Sequence, residues 1–364
     1  MARDYTDQTN INAPDGNNPY GIPKDENPVG ARNGTLVNEK FIADAWIFFQ
    51  KLLDRAGITA NNVVENDVNG YQFHEALDNH IFSNNNISFE RQGNVLSLSS
   101  DEPAITALST FEVAYINTNP LLETRLRTYT FDGTNWSQVG NSLIMSESNS
   151  AIAALDANTV ALYGNTSKNL RTYTFDGTNW SQVGNVLNLN VISKSICFID
   201  TNRIAFIDSS GDDLSVYEFN GTNWSQIGNS LPLSIGQSAV TAIAVNRIVV
   251  ADATANTLTT YTFNGTDFVQ EFSNVIDNIS RPSMSALNSR RIVLVDETLS
   301  AVVVYEISGT SWQRIGSKIE FDGVIAPSVT ALSKTEIAIV SFGLGITKYR
   351  QSFDVGLPPS PQFH

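Results

Sequence analysis

Between residues 104 and 353 large apolar side chains alternate with polar ones in short runs, separated by clusters of Gly, Asn, Asp, Ser and Thr. A period of two places alternate side chains on opposite faces of a strand, and the clusters between runs are turn chemistry. In one such stretch Ala151–Leu155, Thr159–Tyr163, Leu170–Phe175 and Trp180–Val183 read as four strands, A to D. Asp176-Gly177-Thr178-Asn179 closes the C–D hairpin, with glycine supplying a positive φ.

The pattern repeats. TYTFDGTNWSQVGN occurs at 128–141 and again at 172–185, followed by VYEFNGTNWSQIGN at 216–229, TYTFNGTDFVQEFS at 260–273 and VYEISGTSWQRIGS at 304–317. Tyr129, Tyr173, Tyr217, Tyr261, Tyr305 and Tyr349 mark a spacing of 44 residues. Four short strands per period of that length are the signature of propeller blades. Strand A is built from small residues in every copy, among them Ala104, Ala151, Ser195, Ala239, Ser283 and Ser328, as strands crowded about a central axis require. The last C strand, Ile346–Tyr349, has no D strand after it, whereas Ile87–Leu96 matches the D pattern ahead of the first A strand. Pairing these two ends predicts a mainly β fold, a six-bladed β-propeller over 87–353 whose split last blade closes the ring and removes open sheet edges.

Composition narrows the function. Hydrophobic residues are 41% and charged residues 16% of the 364, so the surface is chiefly Asn, Ser and Thr around an ordinary core. The formal charge of −15 argues against nucleic acid, whose phosphates demand clustered Lys and Arg. One cysteine excludes a disulfide framework. No apolar run reaches the ~18–20 residues of a membrane span. The polar start of the chain has no apolar core of a secretory signal, so synthesis in a cytoplasm is expected.

Residues 1–34, rich in Asn, Pro, Asp and Gly, read as an extended arm. Over 35–82 two amphipathic helices are expected. The first is capped by Asn38, carries Phe41, Trp46, Phe49 and Leu53 on its apolar face and stops at Gly57; the second, over 70–82, presents Phe73 and Leu77. Such aromatic surface needs cover, from the two helices on each other, from the propeller or from the same helices of neighbouring subunits, and a symmetric homo-oligomer, taken as a trimer, is expected. Residues 354–364 form a tail. Gly34-Thr35, Val37-Asn38, Leu52-Leu53, Ala56-Gly57-Ile58 and Gln72 with Ala76-Leu77 resemble the N-terminal region of bacteriophage tail and tail-fibre proteins, over about residues 15–78. The resemblance implies that residues 1–82 attach the chain to other virion proteins, and that the protein resides in the virion.

Alternating strand direction puts the A–B and C–D turns on one face of the ring and the B–C and D–A loops on the other. The first set is uniform from blade to blade and the second differs, so the second is the expected receptor-facing surface. Its D–A loops offer Ser146, Glu147, Asn190, Ser234, Asp277, Asn278 and Asp322; its B–C loops offer Asp212, Asp213, Asp296 and Glu297. The helical region and the tail both join the uniform face, which separates anchor from display.

Other candidate chemistry is outweighed by structural roles. Trp136, Trp180, Trp224 and Trp312 have the aromatic faces that stack on sugars, but residues repeated in every blade serve the repeat, and Phe268 fits packing better. Asp132, Asp176, Asn220 and Asn264 are read as turn caps rather than calcium ligands. Cys197 falls in the small-residue column and is read as core; His74 and His80 on the second helix lack further ligands. No catalytic residue, metal or cofactor is assigned. The expectation is a non-enzymatic virion fibre, spike or appendage subunit whose propeller serves attachment to a host-surface glycan or protein, or contacts with a neighbouring virion protein. The alternatives are a glycan-degrading, sialidase-like enzyme using loop carboxylates, and a purely architectural cap.

Overall fold

The computed structural model describes residues 11–12, 22–23, 87–98, 103–117, 123–145, 151–200, 202–208, 213–233, 237–320, 326–342 and 345–353. The chain divides into two compact units, Met1–Asn84 and Asn85–His364. In the first, β1 (Ile11–Asn12) and β2 (Ile22–Pro23) form a short antiparallel pair. Both expected helices, with Phe41, Trp46, Phe49, Leu53, Phe73, Leu77 and the two histidines, lie outside the described residues.

The second unit is a six-bladed β-propeller of four-stranded antiparallel sheets. It opens with β3 (Ile87–Leu96). Blade 1 is β4 (Ala104–Ala107), β5 (Glu112–Asn117), β6 (Thr124–Phe131) and β7 (Trp136–Met145). Blade 2 is β8 (Ala151–Ala154), β9 (Thr159–Gly164), β10 (Asn169–Phe175) and β11 (Trp180–Asn188). Blade 3 is β12 (Ser193–Asp200), β13 (Arg203–Asp208), β14 (Asp213–Phe219) and β15 (Trp224–Pro232). Blade 4 is β16 (Ser238–Ala244), β17 (Arg247–Asp252), β18 (Thr257–Phe263) and β19 (Phe268–Val275). Blade 5 is β20 (Pro282–Asn288), β21 (Arg291–Asp296), β22 (Ala301–Ser308) and β23 (Ser311–Glu320). Blade 6 takes β24 (Ser328–Ala331), β25 (Glu336–Ser341) and β26 (Gly345–Phe353) from one end of the repeat region and β3 from the other. The closing register runs from Ile346 opposite Leu96 to Phe353 opposite Ile87, which is the predicted pairing of the two orphan strands.

Each seam between neighbouring blades has its own hydrophobic core among the described residues. Between blades 2 and 3 the ring of Tyr163 meets that of Phe206 edge-on, centroids 4.9 Å apart, and both side chains are fully buried. Burying such a side chain contributes on the order of 1.5–3 kcal/mol. Second strands are sandwiched on both faces, so β21 and β25 are buried along their whole length and read as nearly continuous apolar runs. In every blade a carbonyl of the A–B turn accepts the N–H near the end of strand C, from Phe111 with Phe131 (2.8 Å) to Thr335 with Gln351 (2.7 Å).

The outer strands are longer than predicted. Strand D of blade 2 was expected over Trp180–Val183 and runs to Asn188, because Gly184-Asn185 forms a bulge beyond which pairing resumes at Leu170 opposite Leu187. Gly184 has a φ of +71°, and a Cβ there would lie 2.5 Å from the carbonyl oxygen of Thr222 in the next blade. The bulge thus lays Asn185 on that blade's C–D turn: its N–H donates to Thr222 O (2.6 Å) and its Nδ2 to Asn223 Oδ1 (2.7 Å). Asn94, Asn141 and Asn229 repeat this clasp on the turns of blades 1, 2 and 4.

Candidate functional site

The repeated aromatic residues are built into the seams. Trp180 Nε1 donates to Thr128 Oγ1 of the preceding blade (3.1 Å), Trp224 to Thr172 (2.9 Å) and Trp312 to Thr260 (3.0 Å). Each tryptophan packs inside its seam, 4–6% exposed, and those of the first three copies lie 5.1 Å from the partner phenylalanine of their own hairpin. A ring closed on both faces and bonded through its nitrogen has no face left for a sugar.

The C–D turns are capped as expected. Asp132 Oδ1 accepts the N–H groups of Thr134 (2.8 Å) and Asn135 (2.7 Å), and Asp176, Asn220 and Asn264 repeat the arrangement. The backbone donors, Asn135 first and Thr134 second, lower the pKa of Asp132, as Asn179 and Thr178 lower that of Asp176. Ser308 heads a tighter turn in blade 5, where strands C and D close on each other from Ser308 opposite Ser311.

The opposite face is less regular. Asn190 is exposed at a left-handed φ of 56°, Asn278 is exposed and Asp213 is partly covered at the start of β14. Asp277 Oδ2 accepts from Arg314 Nη1 (2.9 Å) and from the Tyr305 hydroxyl (3.1 Å), bridging blades 4 and 5. Burial, then the charge of Asp277, raises the pKa of that phenol. Glu297 faces Arg281 at 3.6 Å. Asp296 departs from expectation: it is fully buried rather than displayed. Its carboxylate accepts the N–H groups of Ser280 and Arg281 from one loop and of Thr298 and Leu299 from another, and four such donors hold it inside. Asp296 and Glu297 are therefore split between an internal brace and a surface ion pair. Ser146, Glu147, Asp212, Ser234 and Asp322 lie outside the described residues.

The six A strands line an axial channel of about 390 Å³. Their edge N–H groups are taken up by hydroxyls of the preceding blade, as in Ala107 N to Thr330 Oγ1 (2.9 Å), Ala154 N to Thr106 Oγ1 (3.0 Å) and Ala331 N to Ser285 Oγ (2.9 Å). Cys197 stands in the same column; burial pushes its thiol up to about 12, which leaves it protonated and unreactive at neutral pH. Among the described residues no three His, Cys, Asp or Glu side chains converge as a metal site, and no helix is long and apolar enough to cross a membrane.

One cluster escaped the sequence reading. Lys348 occupies the column of Thr128, Thr172 and Thr260, yet it is only 2% exposed. Its Nζ lies 3.1 Å from Glu336 Oε2, 3.3 Å from Thr110 O, and 5.1 Å and 5.4 Å from the ring centroids of Phe131 and Phe111. It bridges blades 6 and 1, where the ring closes. Trp136, whose equivalents donate to threonine, has a buried indole N–H with no acceptor among the described residues. A charged residue in an otherwise uncharged column was the available signal.

No protein-family model matches the chain, and no curated protein matches it. Solved structures similar to it include a protein of unknown function from Bacteroides thetaiotaomicron, at 13% identity and a TM-score of 0.54 over 73% of this chain and 76% of that one. Another is the SapL1 lectin in complex with alpha methyl fucoside, at 16% identity and a TM-score of 0.51 over 72% of this chain and 98% of the lectin. The β-propeller domain of Cps50 (Swd1) from Myceliophteria thermophila aligns at 6% identity and a TM-score of 0.50 over 71% of this chain and 99% of that domain. At such identities the likeness is one of fold, and the fold it identifies is the β-propeller.

Proposed function

We propose that the chain is a non-enzymatic binding protein of a virion, a fibre, spike or appendage subunit held by residues 1–82 that presents its propeller to the host surface or to a neighbouring virion protein. One observation carries the reading. The tryptophans and the turn caps, each found in four blades, and the small residues of every A strand are engaged in holding the ring together, while the B–C and D–A segments differ in sequence from blade to blade. Variation on a rigid scaffold is how recognition surfaces are built. The attachment half of the reading rests on the resemblance of residues 15–78 to phage tail proteins. The lectin among the similar folds carries a fucoside, which makes a hydroxylated sugar the first ligand class to test.

The deciding experiment incubates the labelled full chain with host cells and with purified host surface polysaccharide. Retention on the polysaccharide without product release is the expected result. Release of oligosaccharide establishes the enzymatic alternative, and no retention on cells or polysaccharide overturns host recognition and leaves an architectural role. Deleting residues 1–82 is expected to abolish incorporation into particles.

A further inference from the structure

Four Asn-Gly pairs occur in the chain, at 33–34, 69–70, 220–221 and 264–265. The first two lie outside the described residues, and the last two head the C–D turns of blades 3 and 4. The same turns of blades 1 and 2 begin with Asp132-Gly133 and Asp176-Gly177. One turn is thus built with a carboxamide in two blades and a carboxylate in two others, and the caps bond alike. Asn220 Oδ1 accepts the N–H groups of Thr222 (3.0 Å) and Asn223 (2.8 Å), and Asn264 Oδ1 those of Thr266 (2.9 Å) and Asp267 (2.8 Å). Asp176 Oδ1 accepts from Thr178 (2.8 Å) and Asn179 (2.7 Å), as Asp132 does from its own turn.

The two amide turns favour attack on the carboxamide carbon. All four residues of each are exposed, so water reaches the group. Nothing lies within 4 Å of where a Cβ of Gly221 or Gly265 would stand, so no side chain shields the glycine nitrogen. Neither that nitrogen nor the asparagine Nδ2 makes a hydrogen bond among the described residues. The oxygen, by contrast, is held by two N–H donors. When a nucleophile adds to Cγ, negative charge develops on Oδ1, and donors already aimed at it stabilise that charge as an oxyanion hole does.

The geometry points to Asn220 and Asn264 as sites of spontaneous deamidation whose aspartyl product the propeller is already built to hold. The backbone nitrogen of Gly221 bonds to Asn220 Cγ and gives up its proton; the Cγ–Nδ2 bond breaks and ammonia leaves. Water then opens the cyclic imide at Cγ, which restores the peptide bond and leaves aspartate. The balance is one water consumed and one ammonia released, and Gly265 acts in the same way on Asn264. Opening at the other carbonyl gives isoaspartate, which lengthens the four-residue loop by a methylene and turns the capping oxygen into a main-chain carbonyl. The hairpin therefore favours the aspartyl product, which keeps the cap seen at Asp132 and Asp176. The charged cap is also the firmer one, since hydrogen bonds to an ionised acceptor are roughly twice as strong as neutral ones.

The test incubates the full chain at mildly alkaline pH, native and in urea, and maps its peptides by mass spectrometry. Conversion of Asn220 and Asn264 is expected in the native chain at a rate at least equal to that in urea, where the oxyanion donors are gone. The ratio of aspartate to isoaspartate is expected to be several-fold higher in the native chain. Asn135 and Asn179, in the same turns but followed by tryptophan, should stay intact. Native sites that persist while the urea-treated ones convert, equal isoaspartate in both samples, or matching conversion of Asn135 and Asn179 overturns the proposal. The variant combining Asn220→Asp with Asn264→Asp should unfold at a denaturant midpoint no lower than that of the unaltered chain. A lower midpoint overturns the fit of the product.

Discussion

Lys348 and Glu336 form an ion pair of 3.1 Å inside the seam that closes the ring, with only 3% and 10% of their side chains exposed. The pair sits where three other blades place a threonine beneath a tryptophan, so a charge stands in the place of a neutral hydrogen bond at the seam that joins the two ends of the repeat region. Removing one partner leaves the other charge buried and uncompensated. Glu336→Leu is therefore expected to destabilise the propeller by roughly 3–5 kcal/mol in denaturant unfolding. Lys348→Thr gives Trp136 an acceptor like those of the other seams, and the double variant is expected to regain most of the loss. Equal loss in the single and double variants would show that the ammonium is not the source of the cost.

The same pair sets an acid limit. Burial works against ionisation of Glu336, but the hydrogen bonds from Arg350 and Lys348 and their charges outweigh it, so its pKa lies below the ordinary value of a glutamate. A carboxylate with a depressed folded pKa adds stability that is fully present above its unfolded pKa and is lost as pH falls through the folded value. Denaturation midpoints of the unaltered chain should hold down to about pH 4.5 and fall below it. The acid loss should be smaller in Glu336→Leu, which has no carboxylate to protonate.

Seam hydrogen bonds make a second contrast. Trp224→Phe removes the bond to Thr172 and is expected to cost about 1 kcal/mol beyond the change in packing. At Trp136 the indole N–H has no acceptor among the described residues, so Trp136→Phe loses no such bond and should cost less. Paired unfolding curves check the ordering, and a larger loss at 136 than at 224 would contradict the assigned partners.

How much of this was legible depends on whether a role repeats. The blade count, the closure through Ile87–Leu96 and the cap at Asp176 were readable because each recurs at 44-residue spacing or completes a gap in it. The Gly184-Asn185 clasp also recurs, but strand alternation says nothing of a neighbouring blade, so its partner Thr222 was invisible. Asp296 looked like surface because carboxylates usually are. Only the convergence of two loops reveals four N–H groups around it. Lys348 was missed because it serves a single seam.

Two glycines of one repeat separate strain from contact. Gly177 has a φ of +92° and open space where a Cβ would stand, so Gly177→Ala meets backbone strain alone, roughly 1–2 kcal/mol. Gly184→Ala adds to comparable strain a Cβ 2.5 Å from Thr222 O and 2.9 Å from the ring of Phe219, both in blade 3. Relieving that clash means lifting the bulge and breaking the Asn185 hydrogen bonds of 2.6 Å and 2.7 Å, worth about 1 kcal/mol each. Gly184→Ala should therefore cost about 2 kcal/mol more than Gly177→Ala in urea unfolding. It should also speed amide exchange at Asn185 while leaving the equivalent amide of Asn141 protected, since each clasp joins only its own two blades.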